Sequence, residues 1–270
     1  MTDMVLRADA VVREFRGRRL FARRPAPLRA VDGVSLGVAR GRTLGIVGES
    51  GSGKSTLARM MVGLLEPSAG RLEIDGRSIA ELARRDRLAL HRRVQMVFQD
   101  PLGSLNPRKT VRQILAAPLR ALHGMDAAAC RTRIAELMDM VSLRGEFAER
   151  YPHEFSGGQS QRIGIARALA AAPEVVVLDE PVSALDVSVQ AQVLMLLAAL
   201  QERLGLTYVF ISHDLAVVET IAHEVAVMHR GQVVEHAAAE RIFADPQHAY
   251  TKLLLSSVPR LAAAADTLAH

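Results

Sequence analysis

Apolar and polar positions along the chain follow two different periods. Residues 4–15 and 30–40 alternate in the manner of half-buried strands. Leu44–Val47 is a short apolar run closed by Gly48, and Val175–Leu178 is a second such run. Runs of this kind predict strands buried on both faces of a parallel sheet. Val94–Gln99 and the β-branched and aromatic stretch Thr207–Ile211 predict further strands. Arg71–Asp75, followed by Gly76, predicts an edge strand and a turn, and His223–His236 predicts two short strands turning at Gly231-Gln232. Elsewhere the period is helical. Lys54–Leu65 places Leu57, Met60, Met61 and Leu64 on one face, and Gln159–Ala171 and Val187–Leu204 read as helices. Thr110 and Asp126 stand as caps for helices running to about Leu122 and Leu143, and no strand pattern appears between 101 and 163. That stretch is expected to be a helical lobe. Strands alternating with helices around it predict a largely parallel α/β sheet.

Composition narrows the picture only a little. A chain of 270 residues fits one large domain or a domain with an inserted lobe, and 49% hydrophobic and 23% charged residues are ordinary for a globular protein. Tryptophan is absent and aromatics reach 4%, which argues against stacking on single-stranded nucleic acid. The net charge of +5 permits an anionic partner, although the arginine cluster within 13–29 reads as an exposed loop. Cys130 stands alone, which excludes an intramolecular disulfide and a cysteine metal cluster and fits a reducing compartment. Cys130 itself reads as a small residue on a helix. The opening MTDMVLRADAVV lacks the features of a signal peptide. The longest apolar run, Val193–Leu200, falls far short of the ~20 residues that cross a bilayer. Work at a membrane would require another chain to cross it. The alanine-rich tail from Leu261 onward is weakly determined and expected to fray.

The chemistry begins directly behind the first apolar run. Gly48-Glu49-Ser50-Gly51-Ser52-Gly53-Lys54-Ser55-Thr56 matches G-x-x-x-x-G-K-[ST]. Glycines let the backbone bend until successive N–H groups converge on phosphate oxygens, and the helix that follows adds its N-terminal partial charge. Lys54 is placed to reach β- and γ-phosphates and Ser55 to ligate Mg²⁺. At the carboxyl end of the second run stand Asp179 and Glu180. Ligands bind at that end of open α/β sheets. Asp179 is expected to hold Mg²⁺ through its water shell, and Glu180 to orient or deprotonate an attacking water.

Phe155-Ser156-Gly157-Gly158-Gln159 opens a helix about twenty residues ahead of the Asp179 strand. Small residues at a helix start expose N–H groups to an anion. This order resembles the ATP-binding cassette (ABC) ATPases, in which SGGQ is the signature. The resemblance runs from about residue 5 to 259. It implies an α/β fold: a P-loop NTPase core of mostly parallel sheet, an antiparallel β subdomain and an inserted helical lobe. The implied divisions are 1–100 for the first part of the core, 101–163 for the lobe, 164–240 for the second part of the core and 241–270 for a C-terminal extension. Gln99 resembles the Q-loop glutamine that senses Mg²⁺, Asp186 in Ser183-Ala184-Leu185-Asp186 the D-loop aspartate, and His213 the switch histidine that touches the γ-phosphate. Phe15 resembles the adenine-stacking aromatic, with Phe21 nearby and a core phenylalanine as alternatives. The implied mechanism uses two chains packed head to tail, each ATP lying between one cradle and the partner's SGGQ helix.

Strings such as VFQDPLGSLNPRKTV, YPHEFSGGQ and DEPVSALDVSVQAQV, and the tail IFADPQHAYTKLLLSSVP, resemble the ATPases of dipeptide, oligopeptide and nickel importers, and within them the F-type chain. That implies ATP hydrolysis energising import, most simply of peptides, with nickel or metal-chelate import as the alternative. The implied partners are a separate D-type ATPase, two membrane permeases and an extracytoplasmic solute-binding protein. The implied place is the cytoplasmic face of the cell membrane, held peripherally, with a permease loop helix docking near Gln99–Pro107. A nucleic-acid-acting cassette is disfavoured by the single cradle, the single cysteine and the absence of sustained heptads. Ser160 stands where relatives commonly carry arginine, Ala117 where many have glutamate, and Ala249 replaces a frequent proline. With only Cys130 present, the iron–sulfur tail of some relatives is not expected.

Overall fold

The computed structural model describes residues 3–15 and 28–257. The alternating segments form an antiparallel pair, β1 (Met4–Phe15) and β2 (Leu28–Ala39). β3 (Thr43–Val47), buried throughout, feeds α1 (Lys54–Met61). β4 (Ala69–Ile74) returns to pair with β1, and β5 (Arg77–Ser78) completes a four-stranded sheet in the order β2-β1-β4-β5. Two short helices, α2 (Ile79–Arg85) capped by Ser78 and α3 (Arg87–Arg93) capped by Asp86, lead into β6 (Val94–Val97). The next stretch is helical: α4 (Pro101–Ser104), α5 (Val111–His123), α6 (Ala127–Met140), 3-10 turns at Gly145–Glu149 and Pro152–Glu154, and α7 (Gly157–Leu169). Strands and helices then alternate as β7 (Val175–Asp179), α8 (Val187–Leu204), β8 (Thr207–Ser212), α9 (Leu215–Ile221) and β9 (Glu224–His229). A hairpin strand β10 (Gln232–Ala238) and helices α10 (Ala239–Ala244) and α11 (Ala249–Ser256) follow.

The second sheet has six strands in the order β10-β9-β3-β8-β7-β6, parallel except for β10. Its side chains divide by period two between two cores. Leu44, Ile46, Val175, Val177, Val209 and Ile211 pack toward α1 and the antiparallel sheet. Val47, Val176, Leu178, Tyr208 and Phe210 pack toward the helical stretch and α8. Burial on both faces is why these strands read as continuous apolar runs. Val47 lies opposite Ser212, Ile211 opposite Asp179, and Leu178 opposite Val97. The loops after β3, β8, β7 and β6 therefore leave one edge of the sheet together, and that edge carries the chemistry.

Several sequence expectations shift. The helix expected to run to Leu65 ends at Met61; Gly63 breaks it and Leu64 is exposed rather than part of the apolar face. The strand expected at the edge, β4, lies between β1 and β5. The hairpin turns at Arg230-Gly231, not Gly231-Gln232, because both residues take positive φ (47° and 86°), the geometry that suits the twist of the flanking strands. The helix capped by Asp126 ends at Met140, three residues before the expected boundary. The arginine cluster beyond Phe15, Phe21 and the tail from Leu261 lie outside the described residues.

Leu57, fully buried on α1, fastens the helix that follows the glycine-rich loop to the sheet. Leu57→Ala is expected to lower unfolding free energy by about 2–5 kcal/mol in urea denaturation, through lost burial and the cavity left behind.

Candidate functional site

The loop Gly48–Gly53 follows the buried end of β3 and is forced into shape by its walls. A Cβ at Gly48 (φ 148°) would sit 2.1 Å from the Met228 carbonyl oxygen, and one at Gly53 (φ 106°) 2.1 Å from that of Ala30. Only glycine fits either place. Gly53 is also the N-cap of α1 and supplies no side-chain acceptor, so the first N–H groups of the helix face the loop's concavity. Lys54, 4% exposed, folds back and donates from Nζ to the carbonyls of Gly48 (2.6 Å) and Glu49 (2.8 Å). Burial pulls its pKa down, and Glu180, Asp179 and Glu49 oppose that pull.

β7 brings the acids to the same place. Ser55 Oγ donates to Asp179 Oδ1 at 2.9 Å, tying α1 to the strand end across β8. Burial pushes the Asp179 carboxyl up, the Ser55 hydrogen bond draws it back, and the charge of Glu180 pushes it up further. Glu180 has φ 49°, a left-handed conformation that costs a non-glycine residue about 1–2 kcal/mol. Its N–H is held by the Ile211 carbonyl at 2.9 Å, and the bend aims the carboxylate inward. There Oε2 accepts from Gln99 Nε2 at 3.0 Å and lies 3.2 Å from His213 Nδ1.

Gly48, Glu49, Ser50, Gly51, Gly53, Lys54, Ser55, Thr56, Gln99, Glu180 and His213 line one cavity of about 640 Å³, together with Ala30 and Leu254. Its size suits a small-molecule ligand. A neighbouring cavity of about 570 Å³ shares Ser55 and Gln99 with it, is lined by Asp179 as well, and runs out past Arg59, Asp100 and Ser104. Ser55 Oγ and the Asp179 carboxylate are hard oxygen donors, with the Gln99 amide close by. One carboxylate and one hydroxyl, completed by water and phosphate oxygens, make a donor set that fits Mg²⁺.

Other expected residues stand elsewhere. Ser52 is buried beneath the loop, outside the cavity lining. Ser156 caps α7 in a reciprocal pair: Gln159 N–H donates to Ser156 Oγ (3.4 Å) and Ser156 N–H to Gln159 Oε1 (3.1 Å). Gly158 packs on α8, where a Cβ would meet Val189 Cγ1 at 2.4 Å. Asp186 caps α8, accepting from Val189 N–H and Ser188 Oγ, and these hydrogen bonds hold its carboxyl below the usual range. None of Ser156, Gly157, Gly158, Gln159 and Asp186 lines the cavity of the same chain. Phe15 ends β1, 41% exposed beneath the Arg13 guanidinium, and is not among the residues lining this cavity. Ser160 is fully buried with its Oγ unpartnered, so it cannot make an arginine-like contact at the surface. Sequence reasoning missed Ala30, Leu254 and Tyr250, whose hydroxyl accepts from the Glu49 N–H at 3.2 Å. No local pattern marks them.

The glycine loop, the helix start behind it and the acids across β8 define a P-loop nucleotide-binding protein. Residues 31–183 match the family described as ABC transporter, and 234–270 match the oligopeptide/dipeptide transporter C-terminal region. The chain belongs to the ABC transporter family. It is 51% identical over 260 residues to the oligopeptide transport ATP-binding protein OppD of Mycobacterium tuberculosis, covering 96% of this chain and 42% of that one. It thus spans less than half the length of that relative. To the dipeptide transport ATP-binding protein DppF of Haemophilus influenzae it is 53% identical over 242 residues, 90% of this chain and 74% of that one. The structure is similar to the dimeric post-hydrolysis state of the ATP-binding cassette MJ0796 bound to ADP and Pi, with TM-score 0.75, 28% identity, and 87% and 98% of the two chains covered.

Because the Asp179 pKa is raised on folding, the native state binds this proton more tightly than the unfolded chain. The contribution to stability is present below the ordinary carboxylate range and is lost as pH rises through the raised native value. Asp179→Asn is expected to raise the melting temperature of nucleotide-free protein by a few degrees at neutral pH and to leave it nearly unchanged in acid. Thermal unfolding at the two conditions checks this.

Proposed function

We propose that the chain is an ATPase subunit that energises import of dipeptides or oligopeptides. The observation that carries the reading is the placement of Glu180, held by its backbone bend between Gln99 and His213 at the mouth of the phosphate loop. The loop amides and the α1 terminus bind the triphosphate, and Lys54 exchanges its bonds to Gly48 and Glu49 carbonyls for the more strongly charged phosphate oxygens. Ser55 and Asp179, with Gln99 near them, would hold Mg²⁺, which when bound neutralises phosphate charge. Glu180 accepts the proton of a water as its oxygen bonds to the γ-phosphorus. The bond from that phosphorus to the β,γ-bridging oxygen breaks, leaving ADP and phosphate. His213, against the same carboxylate, orients the γ-phosphate.

The signature stands on a second surface of the chain. Ser156 and the first N–H groups of α7, outside the chain's own cavity, suit a triphosphate held by another cassette in a head-to-tail pair. The dimeric relative with ADP and Pi supports that arrangement. Among the described residues no helix is long and apolar enough to cross a membrane. The reading therefore assigns the crossing to two permeases, the partner cassette to a D-type chain and the cargo to a solute-binding protein outside. The chain sits peripherally on the cytoplasmic membrane face, a permease helix entering the cavity past Asp100 and Ser104. Peptide rather than nickel is favoured by the 234–270 match and the names of the relatives.

Glu180→Gln is expected to retain ATP while lowering turnover by about 10²–10⁴-fold, the range for loss of a general base. ATPase activity at the unmutated rate would remove Glu180 from this role. Cargo is tested by uptake of labelled small peptides and labelled Ni²⁺ in cells carrying the intact chain or Lys54→Ala. Loss of peptide uptake alone is expected; loss of nickel uptake with peptide uptake unchanged would overturn the cargo assignment.

A further inference from the structure

The peptide group that follows Gly48 has two duties in the loop. Its carbonyl, that of Gly48, receives the Lys54 ammonium at 2.6 Å, and its N–H, that of Glu49, donates to the Tyr250 hydroxyl at 3.2 Å. Tyr250 lies 201 residues away in sequence, on α11, within the matched C-terminal region. Its ring, 9% exposed, packs on His229 with centroids 3.9 Å apart and planes tilted by 52°. His229 ends β9 directly after Met228, whose carbonyl walls Gly48. Tyr250 is thus braced against the same strand end that shapes the loop. The helix start is pinned in turn. The Glu235 carboxylate of β10 accepts from the N–H groups of Gln247 (2.7 Å) and His248 (3.1 Å), and His248 Nδ1 accepts from Tyr250 N–H (3.1 Å). Leu254, one turn further along α11, lines the nucleotide cavity itself.

We propose that Tyr250 is a positioning residue for the phosphate loop, and that through it the C-terminal region forms part of the nucleotide site. The inference rests on the ATP reading above. A loop with glycines at 48, 51 and 53, all at positive φ, has many conformations open to it, and those must be given up when phosphate binds. A hydrogen bond from its first amide to a fixed hydroxyl restricts them beforehand, so binding loses less entropy. Release or displacement of α11 loosens the cradle without touching the acids at Asp179 and Glu180. Affinity for ATP and the rate of its chemistry are then separately adjustable.

The test is Tyr250→Phe in the full chain, which keeps the ring against His229 and removes only the acceptor. The expected result is a rise of about 2- to 10-fold in the Kd and KM for Mg-ATP, the range for loss of one hydrogen bond, with kcat changed far less. Amide hydrogen exchange across residues 48–53 should quicken in the nucleotide-free variant, while its melting temperature stays at the parent value. Glu235→Gln, which weakens the clamp on α11, should shift KM in the same direction by a smaller factor. Parent-like KM and loop exchange in Tyr250→Phe would overturn the proposal, as would a lowered melting temperature with KM unchanged, which marks a packing contact only. A parent chain with no saturable ATP binding that Lys54→Ala abolishes would sink the ATP reading, and this inference with it; normal parental binding with an indifferent Tyr250→Phe sinks this inference alone.

Discussion

A lysine ammonium at 4% exposure must have acceptors, because an unpaired charge withdrawn from water costs several kcal/mol. Lys54 finds them in the carbonyls of Gly48 and Glu49. Those carbonyls turn inward because Gly48 adopts a backbone angle that the Met228 oxygen denies to any side chain. Loop shape and buried charge therefore hold one another in place. The parallel order β3-β8-β7 then brings carboxylates to the far side of the same hollow. The hollow thus sets a lysine hydrogen-bonded to two neutral carbonyls beside the carboxylates of Asp179 and Glu180.

The bend at Glu180 is the complementary feature on the acidic side. The left-handed turn is retained because its N–H is bound to Ile211 and its carbonyl accepts from Ser183 Oγ at 3.2 Å. Strain of this kind persists where its surroundings over-determine it, and such places are enriched in functional sites. The resulting contact with both Gln99 and His213 joins loops from β6, β7 and β8, so a displacement of any one alters the water-facing carboxylate.

Legibility in the sequence followed the range of each interaction. The cradle was readable because its glycines, lysine and serine act within nine consecutive residues, and the chemistry dictates their spacing. Val175–Leu178 was readable because burial on both faces leaves no polar position. Caps at Thr110 and Asp126 were readable because an N-cap acts three residues away, whereas the cap that Asp186 gives α8 was not read. The helices Ile79–Arg85 and Leu215–Ile221 escaped notice, since seven residues carry too few turns to show a period. Leu64 was misplaced because period alone cannot tell where Gly63 stops the helix. Tyr250 could not be found at all: a hydroxyl meeting an amide 201 residues away leaves no local trace. The hydrogen bond from Ser55 to Asp179 was not legible, because it depends on which strand lies between that acid and the cradle.

The reciprocal cap on α7 and the seating of Gly158 against Val189 make the signature and the start of α8 one stiff corner of the molecule. Its residues line none of the chain's own cavity, and on the head-to-tail reading proposed above a solitary chain would complete neither its own site nor a partner's. For free chains, assembly of a whole site is second order and falls with the square of dilution. Chains fastened to a shared scaffold meet instead at an effective concentration fixed by the tether, commonly millimolar. The scaffold then sets the tempo of encounter, and the amount of free chain ceases to matter.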